Sequence, residues 1–142
     1  MFKDEGYKLM GAAFEVYNEL GFGMAEEIYQ QAMEIELELR EIPFRSKSDL
    51  NVFYKERRLN TLYKPDLFVF DGIIAELKAV SELTSAHESQ LFNYLRVARQ
   101  PVGYLINFGR KNDLEWKRFI LSDLKCSNRE ASGRSEASRR MT

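Results

Sequence analysis

Asp66, preceded by Pro65, is followed ten residues later by Glu76-Leu77-Lys78, a set of groups suited to cutting phosphodiesters. Brought onto one face of a sheet, Asp66 and Glu76 would hold Mg²⁺ or Mn²⁺ together with the backbone carbonyl of Leu77. Lys78 would then position or help activate an attacking water. The cation both acidifies that water and stabilises charge developing on the phosphate.

Whether these groups meet depends on one turn. Leu67–Phe70 and Ile73–Ala75 are apolar runs rich in strand formers, and Asp71-Gly72 between them is a strong hairpin signal. With a two-residue loop Phe70 pairs with Ile73, Asp66 falls opposite Leu77, and the acids point to opposite faces. With Phe70-Asp71-Gly72 as a three-residue loop, Gly72 left-handed in a bulge, Val69 pairs with Ile73 and Asp66 lies opposite Glu76. Their Cβ atoms are then roughly 4.5–5.5 Å apart, within joint reach of one ion whose oxygen ligands sit at about 2.0–2.1 Å. Lys78 follows on the same face about 6.6 Å along the strand. The rival reading of the trio is a cross-strand ion-pair ladder on a wet face, worth little, and the hairpin alone admits both. Glu115-Trp116-Lys117, with Asp113 just before it, repeats the Glu-x-Lys spacing. It lacks an upstream acid carried across a turn and reads as the solvent face of a late strand.

The elements that must position these groups follow from apolar periodicity. Asp4–Leu20 carries Leu9, Met10, Ala13, Phe14, Val16 and Tyr17 at helical spacing, which predicts a core-facing helix. Gly21 and Gly23 separate it from a second helix, about Ala25–Arg40, with Ile28, Ala32, Ile35 and Leu39 on the expected buried side. Glu26 sits in the first turn of that helix, where the helix dipole alone also favours a carboxylate. Pro43 breaks the pattern. Strands are expected at Phe44–Tyr54, Leu62–Phe70 and Ile73–Val80, with Lys55–Arg58 as the first turn. A helix over Ser85–Ala98 follows, its stripe being His87, Leu91, Tyr94, Leu95 and Ala98. Strands at Val102–Asn107 and Leu114–Leu121 complete the order.

Several ordered motifs in this frame resemble a known family. Gly23, Glu26 and Tyr29 open the second helix, with Glu26 and Tyr29 on one face. Ile74–Val80 contains Glu76 and Lys78. His87–Leu95 contains Gln90, and Gly103–Gly109 follows. From about Met10 to Leu121 the chain resembles the GxxExxY family of the PD-(D/E)xK nuclease superfamily. The resemblance implies a restriction-endonuclease-like α/β core, a central mixed sheet flanked by helices, with the metal site at the strand pair carrying Asp66, Glu76 and Lys78. It further implies Glu26 as the helix carboxylate that completes or orients the site, and Gln90 as the polar residue that orients a phosphate or the lysine. The chain departs from the family pattern at Phe22, often proline, at Tyr17, often histidine, and at Pro65. None of these is an implied metal ligand.

Composition fits that reading. A length of 142 residues suits one domain with a substantial core, expected over 1–126. The 44% hydrophobic and 13% aromatic content favours a folded chain over disorder. The one cysteine, Cys126, allows no internal disulfide, and no leader or long apolar run is legible, so a cytoplasmic protein is expected. Residues 127–142 hold no aromatic residue and are expected to form a disordered polar tail. His87 has no histidine or cysteine partners for zinc, and no phosphate-binding or dinucleotide fingerprint is present.

The net charge of −1 carries no global basic excess, but local cations suffice to contact phosphates. Lys55, Arg57, Arg58 and Lys64 cluster before Asp66, while Arg96, Arg99, Arg110 and Lys111 form a second expected group. The functional expectation is a metal-dependent phosphodiesterase acting on nucleic acid, DNA before RNA, with a homodimer plausible for cutting two strands. The alternative is a binding or assembly protein that keeps the fold without catalysis.

Overall fold

The structure, a computed structural model, describes residues 1–121. Two helices, α1 (Lys3–Leu20) and α2 (Glu26–Leu39), precede the strands β1 (Phe44–Ser46), β2 (Leu50–Tyr54), β3 (Arg57–Tyr63), β4 (Leu67–Val69) and β5 (Ile73–Lys78). After these come α3 (Ser85–Ala98), β6 (Val102–Asn107) and β7 (Glu115–Ile120). The expected tail and Cys126 lie outside the described residues. Among the described residues no helix is long and apolar enough to cross a membrane.

Five strands form one sheet in the order β1-β4-β5-β6-β7, and β2 with β3 forms a separate ribbon. The β5–β6 pair is parallel and all the others are antiparallel. A parallel neighbour needs a crossover, and α3 supplies it. The two-residue period of a strand then assigns side chains to faces. Leu67, Val69, Ile73, Ala75 and Leu77 join the core under α1 and α2. Phe68, Ile74 and Leu105 join a second core with α3 and the β2–β3 ribbon. The result is an α/β fold with a mixed central sheet flanked by helices, consistent with a restriction-endonuclease-like core. Glu76 and Lys78 share the parity of Ile74 and so face α3.

Four expectations need correction here. The buried face of α2 is Tyr29, Gln30, Met33 and Leu37, whereas Ile28, Ile35 and Leu39 are exposed and Ala32 is only partly covered. The helix is apolar along two stripes, and polar contacts accompany the one that is buried. The Tyr29 hydroxyl donates to the Gly21 carbonyl at 2.6 Å, and its ring stacks on Phe108 at 4.6 Å. The stretch expected as one strand over Phe44–Tyr54 is two strands in different sheets, broken where Lys47 adopts φ 50°. The first turn is correspondingly shorter than Lys55–Arg58, since Arg57 and Arg58 already belong to β3, and the strand expected from Leu62 to Phe70 divides between β3 and β4.

The hairpin between β4 and β5 has the register of the three-residue loop, with Val69 opposite Ile73 and Leu67 opposite Ala75. Its left-handed residues are Phe70 and Asp71, both at φ 55°, and not Gly72. Position 72 is closely approached: a Cβ there would lie 2.2 Å from Cζ of Phe2, so a larger residue would have to displace that ring.

Glu115-Trp116-Lys117 is also corrected. Glu115 is 1% exposed and Trp116 is buried. The Glu115 carboxylate accepts from Leu83 N at 3.0 Å and from Asn107 Nδ2 at 3.1 Å. Asn107 in turn exchanges hydrogen bonds with both the N–H and the carbonyl of Val80 at 2.9 Å. Together they pin the β5–α3 connection, and Lys117 pairs with Glu88 of α3. Truncating Glu115 leaves buried donors unsatisfied, so Glu115→Ala is expected to cost about 3 kcal/mol in a denaturant titration. A loss below about half a kcal/mol would show the network to be dispensable.

Candidate active site

Asp66 stands one residue before β4, and the hairpin register continued by one pair places it opposite Glu76. Buried Pro65 precedes it. The Asp66 carbonyl accepts from Gln30 Nε2 at 3.0 Å and from Lys47 N at 3.1 Å. Its carboxylate accepts from Leu77 N at 2.8 Å through Oδ2, and Lys47 Nζ lies 3.6 Å from Oδ1.

Because β5 runs on past the end of β4, its N–H groups on that edge lose their ladder partners. Two carboxylates satisfy them: Asp66 takes Leu77 N, and Glu26 takes Ala79 N at 3.3 Å. The N–H and C=O of one strand residue point to the same edge, so the Leu77 carbonyl opens beside the Asp66 carboxylate. Glu26 is thus at the end of the site strand, holding its backbone.

The Glu76 carboxylate accepts a hydrogen bond from the Tyr63 hydroxyl at Oε2. Burial and the neighbouring Asp66 charge push Glu76 up to about 8, against the opposing pull of the Tyr63 hydrogen bond and the Lys78 ammonium. Burial next to Glu76 also pushes the Tyr63 phenol up, which keeps it a donor at any physiological pH. Tyr63 stacks on Tyr94 of α3 with 4.0 Å between ring centres.

Glu76, Lys78 and Gln90 line one cavity of about 290 Å³ with Tyr63, Lys64, His87 and Tyr94. Lys78 is near enough to lower the pKa of Glu76 but forms no ion pair with either acid among the described residues. A structural ion-pair ladder of Asp66, Glu76 and Lys78 is therefore not what the fold builds. His87 is a capping residue, its Nδ1 accepting from Thr84 N at 3.1 Å.

Of the four cations expected to meet nucleic acid, only Lys64 reaches this cavity, and it is paired with Asp49 at 2.7 Å. Lys55, Arg57 and Arg58 lie at the tip of the β2–β3 ribbon. Arg99 Nη2 donates to the Lys55 carbonyl at 2.5 Å, fixing that tip at the C-terminal end of α3. Nine residues of helix separate Arg99 from Gln90, about 13 Å. The second expected group divides: Arg96 and Arg99 close α3 before β6, whereas Arg110 and Lys111 follow β6 at the opposite end of the sheet, where Arg110 pairs with Asp113.

Four residues at the site escaped sequence reasoning. Gln30 carried a signal, being a polar residue on the apolar stripe of Tyr29, Met33 and Leu37. Tyr63, Tyr94 and Lys47 reach the site only through tertiary contacts.

Among the described residues no three His, Cys, Asp or Glu side chains form a metal-holding group. The chemistry of the pair nevertheless fits a divalent cation. Two carboxylates share one face, one of them half-buried with its pKa raised by burial and by its neighbour's charge, and a backbone carbonyl opens beside them. A cation relieves both the desolvation and the like-charge repulsion.

A family model described as PD-(D/E)XK nuclease superfamily matches residues 3–119. Neither the curated proteins nor the solved structures contain a match to this chain.

Proposed function

The chain belongs to the PD-(D/E)XK nuclease superfamily, and on that footing we propose that it is a metal-dependent phosphodiesterase of the GxxExxY kind, acting on DNA before RNA. Members of the superfamily generally use divalent metal ions, and Mg²⁺ or Mn²⁺ is the proposed cofactor here. The observation that carries the reading is the hairpin register, which sets Asp66 opposite Glu76 while Lys78 and Gln90 share a cavity with Glu76.

Each residue then has a task. Asp66, Glu76 and the Leu77 carbonyl would hold the cation, which would supply Lewis acidity at the site. The Tyr63 hydroxyl fixes Glu76 Oε2 and leaves Oε1 to turn toward the site. The Lys78 ammonium orients the attacking water and offsets charge gathering on the phosphate. Gln90, across the cavity on α3, orients the phosphate or Lys78. Glu26 fixes the end of β5 through Ala79 and thereby the direction of Lys78. Lys64 borders the entry, and Lys55, Arg57 and Arg58, at the far tip of the β2–β3 ribbon, would meet the substrate backbone only where it extends beyond the cavity. Residues 1–126 are the proposed catalytic unit, a cytoplasmic enzyme able to work as a homodimer on duplexes.

The test is Mg²⁺- or Mn²⁺-dependent nicking of plasmid or single-stranded DNA. It should disappear on chelation and in Asp66→Asn. Thermal unfolding gives an independent readout: saturating Mn²⁺ at about a hundred times its Kd adds about 2.7 kcal/mol to a protein that binds it only when folded. Asp66→Asn should erase that increment. Nicking that persists undiminished in both Asp66→Ala and Lys78→Ala belongs to a contaminant and overturns the proposal.

A further inference from the structure

We infer that Lys47 is an exchangeable cation of the site, paired with Asp66 while no metal is bound and released to a substrate phosphate when one is. The inference rests on the metal-site reading above, and its own ground is the geometry of the segment between β1 and β2.

That segment is held against Asp66 twice. The Lys47 backbone N–H donates to the Asp66 carbonyl at 3.1 Å, and Lys47 Nζ stands 3.6 Å from Asp66 Oδ1. The main-chain bond is made with Lys47 at φ 50°, a region that lysine seldom adopts. The backbone is thus anchored, while the side chain ends in a long ion pair that is about half exposed, 48% on the Lys47 side.

Charge explains why this pair should exchange. Metal-free, the site sets the Asp66 carboxylate, with the Glu76 carboxyl opposite, near two ammoniums, Lys47 and Lys78. A divalent cation taken up by the two acids adds two positive charges beside Lys47 and competes for Asp66. The Lys47 stem has four flexible carbons, and its backbone is tied to the Asp66 carbonyl. Its ammonium can therefore leave Asp66 and stay within reach of a phosphate at the same site. Lys47 then opposes metal binding in the free protein and favours polyanion binding in the loaded one. Since a coupling between two ligands is reciprocal, metal and nucleic acid should each tighten the other through this residue.

The experiment compares wild type with Lys47→Asn, asparagine being among the side chains most tolerant of the left-handed conformation, and with Lys47→Arg. Mn²⁺ is titrated calorimetrically without nucleic acid. A short single-stranded oligonucleotide is then titrated in Ca²⁺, used as the probe cation. Lys47→Asn should bind Mn²⁺ about two- to five-fold more tightly, the size of a half-exposed ion pair. It should bind the oligonucleotide more weakly, with the salt dependence reduced by about one phosphate contact. Lys47→Arg should stay near wild type in both. Wild type that binds Mn²⁺, with affinity unchanged or weakened in Lys47→Asn, overturns the role of Lys47 alone. Folded wild type that takes up no Mn²⁺ overturns the metal-site reading and this inference with it.

Discussion

Lys78→Ala is expected to abolish metal-dependent cleavage, by about 10²–10³-fold in kcat, while leaving the fold and the cation affinity intact. The size is that of removing one positioned charge from a site where charge develops on the phosphate. The separation of effects follows from where Lys78 lies. Its side chain is on the cavity wall with Glu76 and Gln90, it is only half-buried, and no ion pair in the described residues depends on it. Truncation therefore removes no core contact, and losing a nearby cation lets a divalent ion bind at least as well. Equal activity of wild type and Lys78→Ala at saturating Mn²⁺, with thermal stabilisation by Mn²⁺ present in both, would show that the cavity cation is a bystander. Lys78→Arg is a sharper control. It keeps the charge but replaces a compact ammonium by a planar fork, so a lysine needed to hold a water should not be rescued, whereas one needed only for charge should.

Elements bounded by local chemistry were legible in the sequence, and those bounded by distant contacts were not. Ser85–Ala98 and Val102–Asn107 match the fold residue for residue, because Thr84 caps the helix and Pro101 starts the strand. The two-register question at Asp71-Gly72 was also well posed, since a strand's period of two makes register a binary choice. What the letters could not reveal is why the loop has three residues. Gly72 packs under the ring of Phe2, seventy residues away in the chain, and the positive φ angles fall on Phe70 and Asp71. α2 misled for a related reason: its two apolar stripes are equivalent to a periodicity argument, and a hydrogen bond to Gly21 and a stack on Phe108 accompany the buried one. The candidate site shows the same division. Asp66, Glu76, Lys78 and Gln90 could be named from spacing and resemblance, and the fold brings Asp66 and Glu76 face to face and gathers the other two with Glu76 around the cavity. Tyr63, Gln30 and Lys47, which hold the two acids, come from β3, α2 and the β1–β2 segment, and their contacts span 13, 36 and 19 residues of chain. Glu115 failed most plainly, because a charged residue that alternates with apolar ones reads as solvent-facing until Asn107 and Leu83 are seen to enclose it.

The pH dependence of the metal-free protein should carry the signature of Glu76. Burial and the Asp66 carboxylate raise it from the ordinary 4.5 to about 8. A group whose folded pKa lies above its unfolded value holds its proton longer in the native state. The stability it contributes is therefore complete below the unfolded pKa and is lost as pH rises through the folded one. Between about 4.5 and 8 the metal-free protein should lose stability by at most about 1.4 kcal/mol per pH unit, with relaxation and other titrating groups reducing the observed slope. Glu76→Gln removes that slope. At pH 8 it should be more stable than wild type by a few kcal/mol, although it lacks one of the proposed metal ligands and should be inactive. Metal inverts the dependence, because the bound form requires the carboxylate: each Mn²⁺ taken up below pH 8 displaces close to one proton, and apparent affinity climbs about tenfold per pH unit until it levels near pH 8. At subsaturating Mn²⁺ nicking should follow the same rise. Calorimetric titrations in two buffers of different ionisation enthalpy count the released protons directly. Proton release near zero at pH 6, or Glu76→Gln destabilised at pH 8, would place Glu76 among ordinary surface carboxylates and remove it from the metal site.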